Sequence, residues 1–361
     1  MRSLWKNQKK VFKRTYHIKK LVNRRTPVDL NGLNSQTQII CDIDKTYLET
    51  KFESLPQLIR VALEQPEEKI TVRGASTVMS AARWGLPGSA QKKEPAGLHF
   101  VSASPPQMRE VLESKLEMDG LDWNSDTFKD QAYNVRMGRM SLLRQHTAYK
   151  STAILEIMQT MAAGSRVWLI GDNAESDPYI YTGLALFQAG QLPAEAYLQY
   201  LKIANVEDEI LADIEALLQE KSPVTIAGTL IRKVPGAADI RLPPLTDHIF
   251  FFENFFEAAL ALTRQGIIPL HNLSQMARLF HNRHGFSREK IIGYLKGMAN
   301  GSDPAGAEGT LEEIIKYMSS TPLKAPVRAI TLPEPPLLCS DRPAEMLLDR
   351  AKEWIEMIHS H

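Results

Sequence analysis

Four apolar runs, roughly at 36–44, 98–104, 165–171 and 224–231, are each bounded by polar or turn residues and separated by segments long enough for helices. Runs of this kind are the signature of parallel strands buried on both faces. Between the first two, Phe52 to Arg60 and Thr77 to Trp84 carry helical periodicity, and Pro87 to Gly97 has the composition of a loop. Between the second and third, Pro106 to Met118 and Ser151 to Met161 read as helices, the latter stopped by Gly164. Two more helical stretches fill about 192–221, the second of which, Glu207 to Glu220, opens on acids as a helix dipole favours. Beyond about Asp247 strand signals disappear. Ile249 to Leu262, Ser274 to Phe280, Ser287 to Met298 and Thr310 to Met318 have helix patterning. A segment with Pro322, Pro326, Pro333, Pro335 and Pro336 then leads to a terminal helix near Pro343 to Ile358. The pattern predicts an α/β fold: a Rossmann-like parallel sheet with helices on both faces, a helical insertion before the last core strand, and an α-helical C-terminal region.

Such sheets take their ligand outside the carboxyl ends of the strands, and that is where the candidate chemistry collects. The first run ends Cys41-Asp42-Ile43-Asp44-Lys45-Thr46. With period-two alternation Asp42 and Asp44 leave the same face, and two carboxylates so close repel unless a cation or a shared proton lies between them. This suggests metal-assisted phosphoryl transfer. The second run ends in the hydroxyls of Ser102 and Ser104, which can donate to a phosphoryl oxygen. Lys150, just ahead of a helix, can neutralise phosphate charge, and the third run ends in Asp172 and Asp177, acids suited to a hard cation such as magnesium. Taken singly, each has an ordinary explanation as a strand stop, a solvated lysine or a helix cap. The order acid, hydroxyl, lysine, acid, each at or beside a strand end, points instead to one site.

These residues resemble the haloacid dehalogenase superfamily, whose motifs are Asp-x-Asp-x-Thr, a strand-ending Ser or Thr, a Lys, and Gly-Asp-x-x-x-Asp. Within it, Asp42 to Thr46, His99 to Pro105 and Gly171 to Tyr181, including Asp177-Pro178 and Tyr181, are similar to strings of the actin-patch-associated phosphatidate phosphatase family. The resemblance covers about 36–235. Lys45 stands where that family usually has a third acid, and Pro106 replaces an aromatic. The resemblance implies a sheet of haloacid dehalogenase type and a phosphomonoester hydrolase working through an aspartyl-phosphate on Asp42. Asp44 is then the general acid and base, Thr46 orients the first loop, and Ser102 and Lys150 hold the phosphoryl oxygens. The resemblance also implies Mg2+ held by Asp42, the backbone carbonyl of Asp44 and Asp172, with Asp177 supporting these ligands or a bound water. Read from charge alone, Ser104, Arg136, Arg139, Arg144 and His146 are the expected contacts to an anionic substrate, with a solvated helix and loop over 128–146 as the alternative.

Composition, cysteine usage and charge change the picture further. The chain has 361 residues, of which 43% are hydrophobic, enough for one large or two modest domains. Cys41 and Cys339 are the only cysteines, which argues against a disulfide scaffold or a cysteine-built zinc site and fits a reducing compartment. No apolar run approaches the ~20 residues of a spanning helix, and no signal-peptide core opens the chain, so a cytoplasmic protein is expected. The net charge of +1 hides an asymmetry. Ten of the 43 basic residues precede the first acid, Asp29, leaving 33 against 42 acidic residues in the body.

Leu4, Val11, Ile18 and Val22 recur at helical spacing within this arm, flanked by Trp5 and Phe12, which predicts a basic amphipathic helix over 1–28. It could dock on the acidic body or remain a solvated tail. It could also contact an anionic membrane through residues 1–25, or serve as a targeting or nucleic-acid arm. The expected organisation is therefore a basic segment at 1–28, a phosphatase domain at 29–240, a helical region at 245–320, a Pro-rich linker at 321–342 and a terminal helix at 343–361. The expected substrate is a phosphorylated lipid, with a soluble phospho-metabolite or phosphoprotein as the alternative. A helix-turn-helix outline at Ser274 to Met298 raises nucleic-acid binding, which the acidic body disfavours, as the intact acids disfavour a non-catalytic lipid-binding module.

Overall fold

Neighbouring residues of strand Thr37–Asp42 serve opposite cores: Ile39 and Cys41 enter one apolar cluster and Ile40 the other. The same division runs through Gly97–Ser102, Arg166–Asp172 and Thr225–Arg232, where Phe100, Ile170 and Leu230 face the first cluster and Val101, Leu169 and Ile231 the second. This is why these strands read as apolar runs and not as alternating ones. The computed structural model describes residues 22–25, 31–50, 65–87, 94–129, 146–219, 224–299, 307–320, 327–330 and 342–360. Within them lies one seven-stranded sheet of order β1-β4-β3-β2-β5-β6-β7, where β1 is Val22–Arg25, β2 Thr37–Asp42, β3 Gly97–Ser102, β4 Ser125–Lys129, β5 Arg166–Asp172, β6 Thr225–Arg232 and β7 Ile249–Phe252. All neighbours pair in parallel except β1, which is antiparallel to β4. The α/β expectation holds.

One face of the sheet is covered by α1 (Ala75–Arg83) and α2 (Arg109–Met118), together with α7 (Phe255–Arg264), α8 (Asn272–Asn282), α9 (Arg288–Ala299) and α10 (Ala307–Met318). The other carries α3 (His146–Gln159), α4 (Asp177–Gln188), α5 (Ala194–Ile203), α6 (Asp208–Gln219) and the terminal α11 (Ala344–Ser360). The C-terminal helices thus share the core of the sheet. Asn272 Oδ1 accepts from the backbone amide of Leu86 at 2.7 Å, and Thr77 Oγ1 meets His284 Nε2 at 3.0 Å. In α9, Ile291, Ile292, Tyr294, Leu295 and Met298 are buried. Among the described residues no helix is long and apolar enough to cross a membrane.

Three strands differ from expectation. Ile249 to Phe252, read as the start of a helix, is β7: all four residues are buried and pair with β6, and the helix begins only where Asn254 Oδ1 caps the amides of Phe256 and Glu257 at 3.1 and 3.3 Å. A short apolar run fits either element until its neighbours are known. Val22–Arg25 is a strand and not part of a basic helix, because the open edge of β4 offers it a ladder from Val22↔Lys129 to Arg25↔Asp126; the rest of the arm lies outside the described residues. β4 carries a polar sequence, yet all five residues are buried. Polar partners make that possible: Trp123 Nε1 and Arg109 donate to Asp126, Tyr149 Oη donates to the Thr127 carbonyl at 2.8 Å, and Ser125 pairs with His99 Nδ1 at 2.7 Å. The expected helix at Phe52 to Arg60, much of the loop at Pro87 to Gly97 and most of the Pro-rich segment lie outside the described residues.

Phe252 is fully buried and stacks edge-on against Phe255 with ring centroids 5.3 Å apart. Phe252→Ala is expected to lower stability by about 3–5 kcal/mol in urea unfolding, the cost of a cavity in a shared core; a change under about 1 kcal/mol would show that β7 is peripheral.

Candidate active site

Between β2 and β5 the strand order reverses, one neighbour being followed outward to β4 and the other to β7, so the carboxyl ends of β2 and β5 flank the crevice of an open α/β sheet. Asp42 ends β2, Ser102 ends β3, Asp172 ends β5, and Asp177 opens α4. After Asp42 the chain turns sharply. The amides of Tyr47 and Leu48 both donate to the Ile43 carbonyl, at 2.9 and 2.8 Å, and Lys45 takes the left-handed φ of 59° that a side-chain-bearing residue adopts only when held. It is held by Thr50 Oγ1, which accepts from the Lys45 amide at 2.9 Å, and by Arg232 from the end of β6, whose guanidinium donates to the Lys45 carbonyl.

This turn presents Asp44 to the end of β3. Ser102 and Ser104 both donate to Asp44 Oδ2, at 2.8 and 2.9 Å, and the Ser104 amide donates to Ser102 Oγ at 3.0 Å. The hydroxyls expected to meet a phosphoryl group therefore hold Asp44 in this state. Thr46 Oγ1 donates to Asp172 Oδ2 at 3.2 Å, tying the β2 loop to the end of β5. Asp177 folds back so that its Oδ2 accepts from the Asp172 amide at 3.3 Å. Gly171 permits this, since a Cβ there would stand 2.4 Å from Asp177 Oδ2 and 2.7 Å from the Tyr181 ring. Lys150, in the second turn of α3, places Nζ 2.8 Å from Asp42 Oδ1, 2.5 Å from Asp177 Oδ1 and 3.6 Å from Glu175 Oε2.

Asp42, Asp44, Asp172, Asp177 and Lys150 are all buried, and their charges do not balance. Burial pushes the Asp42 carboxyl well above the carboxylate range, with Lys150 opposing and Asp177 and Asp172 reinforcing. Asp44 is raised by burial and by Glu175 against the Ser102 and Ser104 hydrogen bonds. Burial, with Asp177 and Glu175, pushes Asp172 up to about 7. Asp177 is also raised by burial, against Lys150. Burial would raise Glu175 too, but Lys150, His146 and Lys45 together hold it below the carboxylate range. Lys150 is disfavoured as a cation by burial, yet Asp177, Asp42 and Glu175 keep it firmly charged.

A further cation fits this excess of acid. Asp42, Asp172 and Asp177 each offer an oxygen within 4.8 Å of the others. Neither Asp42 oxygen accepts a well-directed hydrogen bond despite its nearness to Lys150, and Asp44 Oδ1 has no partner. Buried carboxylate oxygens without donors are what a hard cation completes. Asp42, Asp44, Thr46, Ser102, Ser104, Lys150, Asp172 and Asp177 thus come together, and His146 joins them through Glu175, with Nδ1 3.3 Å from Oε2. Arg136, Arg139 and Arg144 lie outside the described residues. Two participants carried too little signal in sequence: Glu175, hidden between the acids of its own string, and Arg232, an arginine at the end of an apolar strand. Lys129, at the end of β4, is buried and lowered to about 8 by that burial.

An α/β sheet with a buried acid cluster and one lysine at its switch point is the class of catalytic scaffold that the geometry defines. Residues 37–194 match the family model of the phosphatidate phosphatase APP1 catalytic domain, a span that contains every acid of the cluster and implies a phosphatase-type hydrolase. No curated protein and no solved structure matches the chain.

Two measurements test the site. Gly171→Ala, which forces Asp177 aside, is expected to weaken divalent-cation binding about tenfold or more in calorimetric titration; unchanged affinity would remove Asp177 from the cation site. Because the raised carboxyls bind protons more tightly folded than unfolded, metal-free protein is expected to lose stability as pH rises from about 5 to about 8. The melting temperature gained on adding a divalent cation should accordingly be larger at about pH 8 than at about pH 6, and the opposite trend would contradict the charge excess.

Proposed function

We propose that the protein is a magnesium-dependent phosphomonoester hydrolase of haloacid dehalogenase type that acts through an aspartyl-phosphate, with a lipid phosphate such as phosphatidate as substrate. The observation that carries this reading is the buried Asp42, 2.8 Å from Lys150 and with an oxygen within 4.8 Å of one from each of Asp172 and Asp177, inside the span that matches the phosphatidate phosphatase model. Asp42 attacks phosphorus; its new bond to phosphorus forms as the bond to the leaving alkoxide breaks. Asp44, whose burial favours the protonated acid, gives the alkoxide its proton and then takes one from the water that hydrolyses the aspartyl-phosphate. Ser102 and Ser104 fix the Asp44 carboxyl, Thr46 holds the loop against Asp172, and Lys150 orients Asp42 and meets the phosphoryl oxygens. Asp42, the Asp44 carbonyl, Asp172 and Asp177 would hold magnesium, which would supply positive charge to the phosphoryl group.

Arg136, Arg139, Arg144 and His146 meet the charge around that group, and the part of the basic arm ahead of β1, residues 1–20, brings a cytoplasmic protein to an anionic membrane surface. The depth of Asp42, 1% exposed, favours a second reading in which the substrate is a small soluble phosphomonoester.

Phosphate release from phosphatidate in mixed micelles with magnesium, set beside a panel of soluble phosphomonoesters, separates the two. Asp42→Asn is expected to abolish turnover and phosphoenzyme in an intact fold, and Asp44→Asn to keep phosphate binding but lose turnover; full activity in the first variant would sink the mechanism. Since Val22–Arg25 is part of the sheet, the arm is tested by deleting residues 1–20. Under the lipid reading the deletion lowers activity on anionic vesicles, most at low salt, and leaves soluble substrates unaffected.

A further inference from the structure

Glu175 stands among basic side chains contributed by three separate elements. Its Oε1 is 3.6 Å from Lys45 Nζ of the β2 loop, and its Oε2 is 3.3 Å from His146 Nδ1 and 3.6 Å from Lys150 Nζ, both of α3. Lys129 adds its field from the end of β4. The shortest of the three contacts is the 3.3 Å one from His146, and neither lysine comes closer than 3.6 Å. The carboxylate is held by long contacts to its neighbours, so it can be moved. It also has a way out, because Glu175 is 10% exposed, beside Lys45 at 23% and His146 at 34%, whereas Asp42 and Lys150 beneath are sealed at 1% each.

We propose that Glu175 is a resident stand-in for the substrate's phosphoryl anion: its carboxylate keeps Lys45, His146 and Lys150 gathered in the free protein and yields them to the incoming phosphate. This rests on the phosphatase reading and adds a selection rule to it. Exchanging the Glu175 carboxylate for a phosphodiester replaces one negative charge with one, whereas a terminal phosphomonoester brings two charges and three equatorial oxygens to the same three donors. The device therefore favours a dianionic phosphomonoester over any monoanion. It also gives Lys45 a use: a third acid at that position would repel Glu175 and leave the outer side of the socket without a cation.

The test is calorimetric titration of the full chain with inorganic phosphate at about pH 8 in magnesium buffer, alongside dimethyl phosphate as a monoanionic probe. Wild type is expected to bind phosphate and not dimethyl phosphate. Glu175→Gln, which keeps the shape but removes the competing charge, is expected to bind phosphate roughly tenfold more tightly, to bind dimethyl phosphate measurably, and to lower KM more than it changes kcat. Unchanged or weaker phosphate binding in Glu175→Gln would overturn the proposal, as would equal binding of the two probes by wild type. Should that variant not fold, Glu175→Asp draws the charge back by one methylene, and about a two- to threefold tightening is expected; none would again overturn it. Wild-type turnover without tightening removes this inference alone, while absence of both turnover and phosphate binding removes the phosphatase reading with it.

Discussion

The ammonium of Lys150, fully buried and set against Asp42, Asp177 and Glu175, is the constraint around which the rest of the molecule is arranged. Several charges taken out of water together are stable only if their partners are held in place, since a buried charge that loses its partner costs several kcal/mol. Every holder is a backbone device: the strand ends of β2 and β5, the second turn of α3, the first turn of α4, and a tight turn locked at Lys45. The acids outnumber the cations even so. That imbalance makes the cluster a receiver for further positive charge at its base and, at its outer rim, a place where Glu175 collects cations that an anion can claim.

Rigidity at those strand ends comes from the two cores. Because β2, β3, β5 and β6 are apolar on both faces, each must be covered twice, and the chain supplies the second cover from its C-terminal third. The helices α7 to α10 are not an appendage to the sheet. They close the face on which Ile39, Cys41, Phe100 and Ile170 would otherwise meet water, and through Asn272 and His284 they fasten to α1 and the loop after it. On the other face α11 returns to the helices before β6, where Trp354 packs against Tyr179 with centroids 5.5 Å apart. Tyr179 is only two residues beyond Asp177, so the end of the chain bears on the geometry of the acid cluster.

The sequence by itself determined which residues could take part and which segments would form the central sheet. Apolar runs ending in Asp42, Ser102 and Asp172 have one stable use in a chain that alternates with helices, and Gly171 ahead of Asp172 leaves the room that Asp177 occupies. Local signals of this kind survive because burial on both faces demands continuous apolar side chains. Only the tertiary structure decided the edges. β4 is buried through hydrogen bonds, so no hydrophobic run announces it; β1 is a strand because β4 has an open edge; and Ile249 to Phe252 is a strand because β6 lies beside it. The same holds within the site. Glu175 and Arg232 draw their roles from charges and carbonyls far away in the chain, and Ser102 and Ser104 bond to Asp44 because a turn strained at Lys45 delivers it there. Apolar burial is written locally in the order of residues, whereas the pairing of buried charges depends on distances that exist only once the chain has folded.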